Sequence, residues 1–181
     1  MQQARQIGQA FFTYAMDKNG TYPDGKSSTE IFQKLMDDGY IEDPAILYVP
    51  LQGKVKGIVG QKLKPENVCF DVTGGVDSSS SDLVPIIFMT GYKVTYAPGG
   101  EAVPVIKPYP PYWNQPRTWW QWWNGNPEPD HGASGIAVFY KGNNAMYWRV
   151  AADYTVPKIV SPDFKPDGHT YRQLTPDGVL P

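Results

Sequence analysis

Ile7-Gly8-Gln9-Ala10-Phe11-Phe12-Thr13-Tyr14-Ala15, followed shortly by Asn19-Gly20-Thr21-Tyr22-Pro23-Asp24-Gly25, is a helix with one apolar face and an abrupt stop. Ile7, Ala10, Phe11 and Tyr14 recur at spacings of three and four residues, the period that lines one side of an α-helix, whereas Gln6, Gln9, Thr13 and Asp17 fall away from that stripe. Such a stripe has to lie against something. Gly20 and Pro23 do not continue a helix, so the chain after them is free to turn back and cover it. Ser27-Ser28-Thr29-Glu30 then offers a cap with an acidic first turn, and Ile31, Phe32, Leu35 and Met36 make a second stripe that ends at Gly39. A short second helix packed on the first is expected.

Downstream the pattern changes to short apolar runs separated by turn residues. Residues 46–49 and 54–59 read as strands or irregular extended chain, and Val68-Cys69-Phe70-Asp71-Val72 reads as a strand. The loop from Gly74-Gly75 to Asp82 is small and polar, and no base at a fixed spacing accompanies its serines. Leu83-Val84-Pro85-Ile86-Ile87-Phe88-Met89 reads as a buried strand with Pro85 near its start. Residues 92–96 and 103–106 flank Pro98-Gly99-Gly100 as a hairpin. A clearer hairpin joins residues 135–140 to 145–150 across Lys141-Gly142-Asn143-Asn144, where Gly and Asn tolerate positive φ. Residues 153–181 are Pro-rich with few apolar positions and are expected to wrap the surface of a single domain covering residues 1–181.

Three blocks of this sequence resemble type IV pilin-like proteins, and more narrowly pseudopilins of the prepilin-type cleavage and methylation family. The first is Ala4-Arg5-Gln6-Ile7-Gly8-Gln9-Ala10-Phe11-Phe12-Thr13-Tyr14-Ala15 with Asn19-Gly20-Thr21-Tyr22-Pro23, similar to the end of a pilin stem helix and the loop after it. The second is Phe32-Gln33-Lys34-Leu35-Met36-Asp37-Asp38-Gly39-Tyr40-Ile41-Glu42-Asp43-Pro44, then Leu47-Tyr48-Val49-Pro50, with Val49 where a Cys is common. The third is His131, nine residues, then Lys141-Gly142, similar to a family signature of His, nine residues, Asp-Gly. Lys141 stands where the signature has Asp, so no role of that Asp is carried over.

The resemblance implies an α+β, pilin-like fold in which residues 1–18, the remnant of a stem helix, pack on an antiparallel sheet through Ile7, Ala10, Phe11 and Tyr14. It implies a structural subunit of a type II secretion pseudopilus or a type IV pilus-like filament. Other pilin or pseudopilin subunits and secretion-system components would be the partners. Leader cleavage and methylation would be done by a separate peptidase. The domain would sit in the periplasm, anchored to the inner membrane, or in an extracellular filament. A chain of this family begins with a leader and a hydrophobic helix, and Met1-Gln2-Gln3 lies in mid-helical sequence, so a membrane helix is expected upstream of Gln2.

Composition narrows the remaining classes. At 181 residues and 41% hydrophobic the chain can bury a core of its own. A net charge of −2 without a run of Lys or Arg argues against a nucleic-acid or anionic-membrane surface, since those partners need clustered cations, and gives no electrostatic partner. One cysteine, Cys69, excludes an intramolecular disulfide and reads as a small core residue.

Residues 107–132 form the oddest segment, an aromatic insertion holding five of the six tryptophans. Tyr112, Trp113, Trp119, Trp120, Trp122 and Trp123 read either as a contact platform or as a small satellite core folded on itself. The first reading gives a rival function: an extracytoplasmic carbohydrate- or polymer-binding module. Beside them His131 reads as a residue leading into the next strand, its ring pinning the preceding loop. The other reading of this region is a cluster of Glu128, Asp130 and His131, or calcium held by Asp130, Asn124 and Asn126. One His without a local partner makes a metal site the lesser expectation, and no cofactor is assigned. His169 reads as an exposed or turn residue. The sequence holds no phosphate loop, no paired-carboxylate pocket signal and no nucleophile elbow, so no enzyme is expected.

Overall fold

The opening stripe is buried against a sheet. A computed structural model describes residues 1–51, 53–105, 135–151, 153, 155–165 and 167–179. Helix α1, Gln2–Asp17, buries Ala4, Ile7, Gly8, Ala10, Phe11, Tyr14 and Ala15. It stops where Asn19 and Gly20 take positive φ of 54° and 83°, with the Gly20 N–H closing back on the Ala15 carbonyl at 2.7 Å. Helix α2, Ser28–Asp37, lies on it, the Phe32 ring edge-on to Phe11 at 5.9 Å between centroids. The Ser27 hydroxyl accepts the Glu30 N–H at 3.1 Å, and the Glu30 carboxylate accepts the Lys26 N–H at 2.8 Å. Ser27→Ala is therefore expected to cost about 1 kcal/mol, read as a lower urea midpoint at unchanged slope.

Among the described residues seven strands follow: β1 Phe70–Gly74, β2 Pro85–Met89, β3 Tyr92–Val94, β4 Ala102–Pro104, β5 Gly135–Tyr140, β6 Asn144–Arg149 and β7 Arg172–Leu174. Five make an antiparallel sheet in the order β6-β5-β2-β1-β7, while β3 and β4 form a separate hairpin. The fold is α+β, with the helical region packed on the five-stranded antiparallel sheet.

Both faces of the central strands are covered, and the register says by what. Val72, Ile87 and Phe139 share one face, and the Phe139 ring lies against Gly8 of α1. Asp71, Phe88 and Val138 share the other, as do Thr73 and Gln173. There the hydroxyl oxygens of Thr73 and Tyr96 lie 2.7 Å apart, and Tyr140 donates its hydroxyl proton to the Ile159 carbonyl at 2.6 Å. The order is helices, sheet, then hairpin with C-terminal tail.

Gln173 joins the last two layers. Its Oε1 accepts the Val94 N–H at 2.9 Å, and its Nε2 donates to the Tyr92 carbonyl and to Asp71 Oδ2. The side-chain amide thus does for β3 what a peptide group of a neighbouring strand would do.

Several boundaries differ from the sequence expectation, each for a hydrogen-bonding reason. The strand expected from Val68 starts at Phe70 because the Pro65 carbonyl takes the Val68 N–H and the Leu47 carbonyl takes the Cys69 N–H. The strand expected from Leu83 starts at Pro85, after a turn closed by the Val84 N–H on Ser81. Residues Pro44–Leu47 coil into a short 3-10 turn because Asp43 caps the Ala45 N–H at 2.8 Å and Pro44 pre-sets the backbone. The tail does more than wrap the surface. It contributes β7 and buries Val156, Ile159, Val160, Phe164 and Leu174.

Candidate functional site

The stem-helix residues Ile7, Ala10, Phe11 and Tyr14 are all buried on the core side of α1. On its far side Phe12 is 39% and Met16 69% exposed, one helical turn apart. Phe12, Ala15 and Met16 form one wall of an open groove of about 240 Å³, and Gly20, Tyr22, Ser78, Asp82 and Lys141 line the rest. Two exposed apolar side chains beside a concave, mostly apolar surface suit contact with another apolar surface.

The signature turn closes that groove. Lys141 Nζ, on a side chain only 12% exposed, reaches Asp82 Oδ1 at 2.9 Å and the Ser78 carbonyl at 3.1 Å. The Gly142 N–H donates to the Asp82 carbonyl at 3.0 Å. Both residues thus pin the β5–β6 turn onto the loop before β2. The charge at position 141 is matched to its surroundings. Lys141→Asp sets one carboxylate against another and strips Ser78 of its donor, an expected loss of about 1–2 kcal/mol that high salt reduces. Thermal unfolding at low and high NaCl checks it.

Beside this turn lies a polar cluster that the sequence hides. The Ser79 hydroxyl donates to Asp77 Oδ1 at 2.7 Å and sits 3.0 Å from His169 Nε2, a residue 90 positions away. His169, expected as an exposed or turn residue, is half-buried, its ring tilted toward Tyr171 at 6.0 Å between centroids. The arrangement is not a nucleophilic triad. A serine activated by histidine needs the acid on the ring's other nitrogen, whereas here Asp77 faces the same Nε2 at 3.6 Å and takes the serine proton itself.

The Ser79 hydroxyl, with the Ser79 and Ser80 N–H groups, holds the Asp77 carboxyl below its ordinary range. Desolvation works against the same shift in Asp167, yet the Tyr171 hydroxyl and the Ser81 and His169 N–H groups bring it below that range too. Burial, then the bond to Asp167, pushes Tyr171 up to about 12. The cluster ties the serine loop to the C-terminal tail.

Asp71 is the other residue that sequence reasoning passed over, and the signal was present: a carboxylate between Phe70 and Val72 in an apolar run. It is fully buried, its Oδ2 accepts from Gln173 at 2.6 Å, and its Oδ1 has no hydrogen-bond partner among the described residues. Desolvation raises its pKa to about 7 against the pull of the Thr90 hydroxyl and the Gln173 amide. Cys69 is a buried free thiol, raised by desolvation and hydrogen-bonded to the backbone of Val49. Val49, standing where the resemblance expects a Cys, thus meets a cysteine 20 residues further along.

Tyr112, Trp113, Trp119, Trp120, Trp122, Trp123 and His131 lie outside the described residues, as do Asn124, Asn126, Glu128 and Asp130. Among the described residues no three His, Cys, Asp or Glu side chains converge as a metal site would require. No helix among them is long and apolar enough to cross a membrane. Compared with protein-family models, with curated proteins and with solved structures, the chain finds no match.

Proposed function

We propose that this domain is a structural subunit of a pilin-like filament, of the type II secretion pseudopilus or type IV kind, working by assembly rather than catalysis. The observation that carries the reading is the two-sided α1. Ile7, Ala10, Phe11 and Tyr14 hold the head on the helix, while Phe12 and Met16 remain exposed. A helix that served only its own domain would gain nothing from that second pair, whereas one that packs against neighbouring copies would bury it. On this reading the helix continues upstream into a membrane-embedded segment, other pilin subunits and secretion components are the partners, and a separate peptidase processes the leader.

Two measurements test it. The open reading frame upstream of Gln2 is expected to encode a leader and a hydrophobic helix; their absence sinks the reading. With the full gene product and its assembly machinery, Phe12→Glu combined with Met16→Glu is expected to leave the thermal midpoint unchanged and abolish filament incorporation. Incorporation at the unmutated level overturns the proposal. The rival, a polymer-binding module, draws on the concentration of tryptophan in residues 107–132. A saturable change in intrinsic fluorescence on titration with polysaccharide would favour it.

A further inference from the structure

After the 3-10 turn at Pro44–Leu47 the chain runs Gly53-Lys54-Val55-Lys56-Gly57-Ile58-Val59-Gly60-Gln61-Lys62-Leu63-Lys64, with four lysines and no carboxylate in a chain whose net charge is −2. The lysines are separated by apolar and glycine residues, so they form no run, and only the folded loop reveals them as a group. Its base is tied down at four points. The Val55 N–H donates to the Glu66 carbonyl at 2.9 Å, and Asn67 Nδ2 donates to the Val55 carbonyl at 3.2 Å. Lys54 Nζ donates to the Pro65 carbonyl at 2.8 Å, and the Leu63 N–H donates to Gln33 Oε1 at 2.7 Å.

Beyond that base the loop carries its aliphatic residues outward. The Gln61 N–H closes on the Ile58 carbonyl at 3.1 Å, with Gly60 at a φ of 81°. Ile58 is 60% and Val59 68% exposed at this turn, and Val55, Lys56, Lys62 and Lys64 are exposed on the same loop. Leu63 alone turns inward.

A fixed turn that holds two β-branched aliphatic side chains in water, on a loop that also exposes three lysines, matches the chemistry of one surface. We infer that the loop of residues 53–64 docks on an anionic lipid bilayer. Ile58 and Val59 enter the boundary between headgroups and acyl chains, and Lys56, Lys62 and Lys64 meet the lipid phosphates. Nucleic acid is the poorer fit, because the loop has no ring to stack on a base and its aliphatic tip would idle against a phosphate backbone. A protein partner is a poorer fit as well, because the aromatic and Arg anchors that dominate such contacts are missing from the loop.

Sedimentation with lipid vesicles tests the inference on the chain as it stands, independently of filament assembly. Vesicles of phosphatidylcholine with about 30% phosphatidylglycerol are expected to carry the protein down, and pure phosphatidylcholine vesicles are not. Raising NaCl from about 50 to about 500 mM is expected to weaken binding about tenfold. Ile58→Ser with Val59→Ser is expected to weaken it about tenfold as well, since it removes the buried apolar area. Lys56→Gln, Lys62→Gln and Lys64→Gln together are expected to abolish it. These side chains are exposed, so each variant should keep its thermal midpoint. No binding to the anionic vesicles, or undiminished binding by either set of variants, overturns the inference.

Discussion

Gly8→Ala is expected to destabilise the domain by about 2–3 kcal/mol, although alanine is the better helix former by about 1 kcal/mol. A Cβ at position 8 would stand 2.3–2.4 Å from three carbons of the Phe139 ring, well inside any tolerated contact. The ring is buried and the close atoms include its Cγ, beside the β5 backbone, so the contact is relieved by α1 lifting away from β5. Larger residues at position 8 are expected to prevent docking altogether. Phe139→Ala alone should cost about 3–5 kcal/mol through its cavity, yet in the Gly8→Ala background it should cost less by more than about 1 kcal/mol. Urea unfolding of the four proteins measures the coupling. A Gly8→Ala variant as stable as the parent would show that the helix does not rest on Phe139 as described.

The second large effect is a pH dependence of stability centred on Asp71. Its folded pKa is raised to about 7 from an ordinary value of 3.8, so between those values the unfolded chain gives up a proton that the folded chain keeps. Stability from this group is complete below about pH 4 and falls as pH rises to about 7, by up to about 4 kcal/mol, then levels off. Asp77 and Asp167 act in the opposite sense. Their carboxyls lie below the ordinary range when folded, and their contribution is lost as pH falls through those depressed values. The contributions oppose one another, Asp71 favouring the fold at low pH and Asp77 and Asp167 favouring it once they are ionised. Asp71→Asn is expected to flatten the profile between pH 4 and 7 while leaving the acid limb intact. Denaturant midpoints taken at intervals across that range decide it, and an unchanged slope in the variant would remove Asp71 as the cause.

The helical layer was legible from the sequence because its signals are local. Ile7, Ala10, Phe11 and Tyr14 declare the buried face by spacing alone, and Ser27 declares a cap by standing three residues before Glu30. The hairpin across Lys141 and Gly142 was legible for the same reason. The second layer was not. Strand β7 is three residues long, Arg172-Gln173-Leu174, too short to show alternation, and its place beside β1 is set by partners about a hundred residues earlier. Ser79 and His169 meet across a similar gap. The basic loop escaped notice because its lysines alternate with other residues, and its exposed tip is a property of the fold rather than of the composition.

Gln173 has a consequence for how the chain reaches this structure. Asp71 and the peptide groups of Tyr92 and Val94 wait for an amide that comes 102, 81 and 79 residues later in the chain. The ribosome must therefore pass residue 173 before the polar side of the sheet is sealed. Domains tied by such distant contacts fold slowly. Nascent or C-terminally clipped forms would carry an open seam, with a buried carboxylate exposed along it, for proteases and chaperones to find.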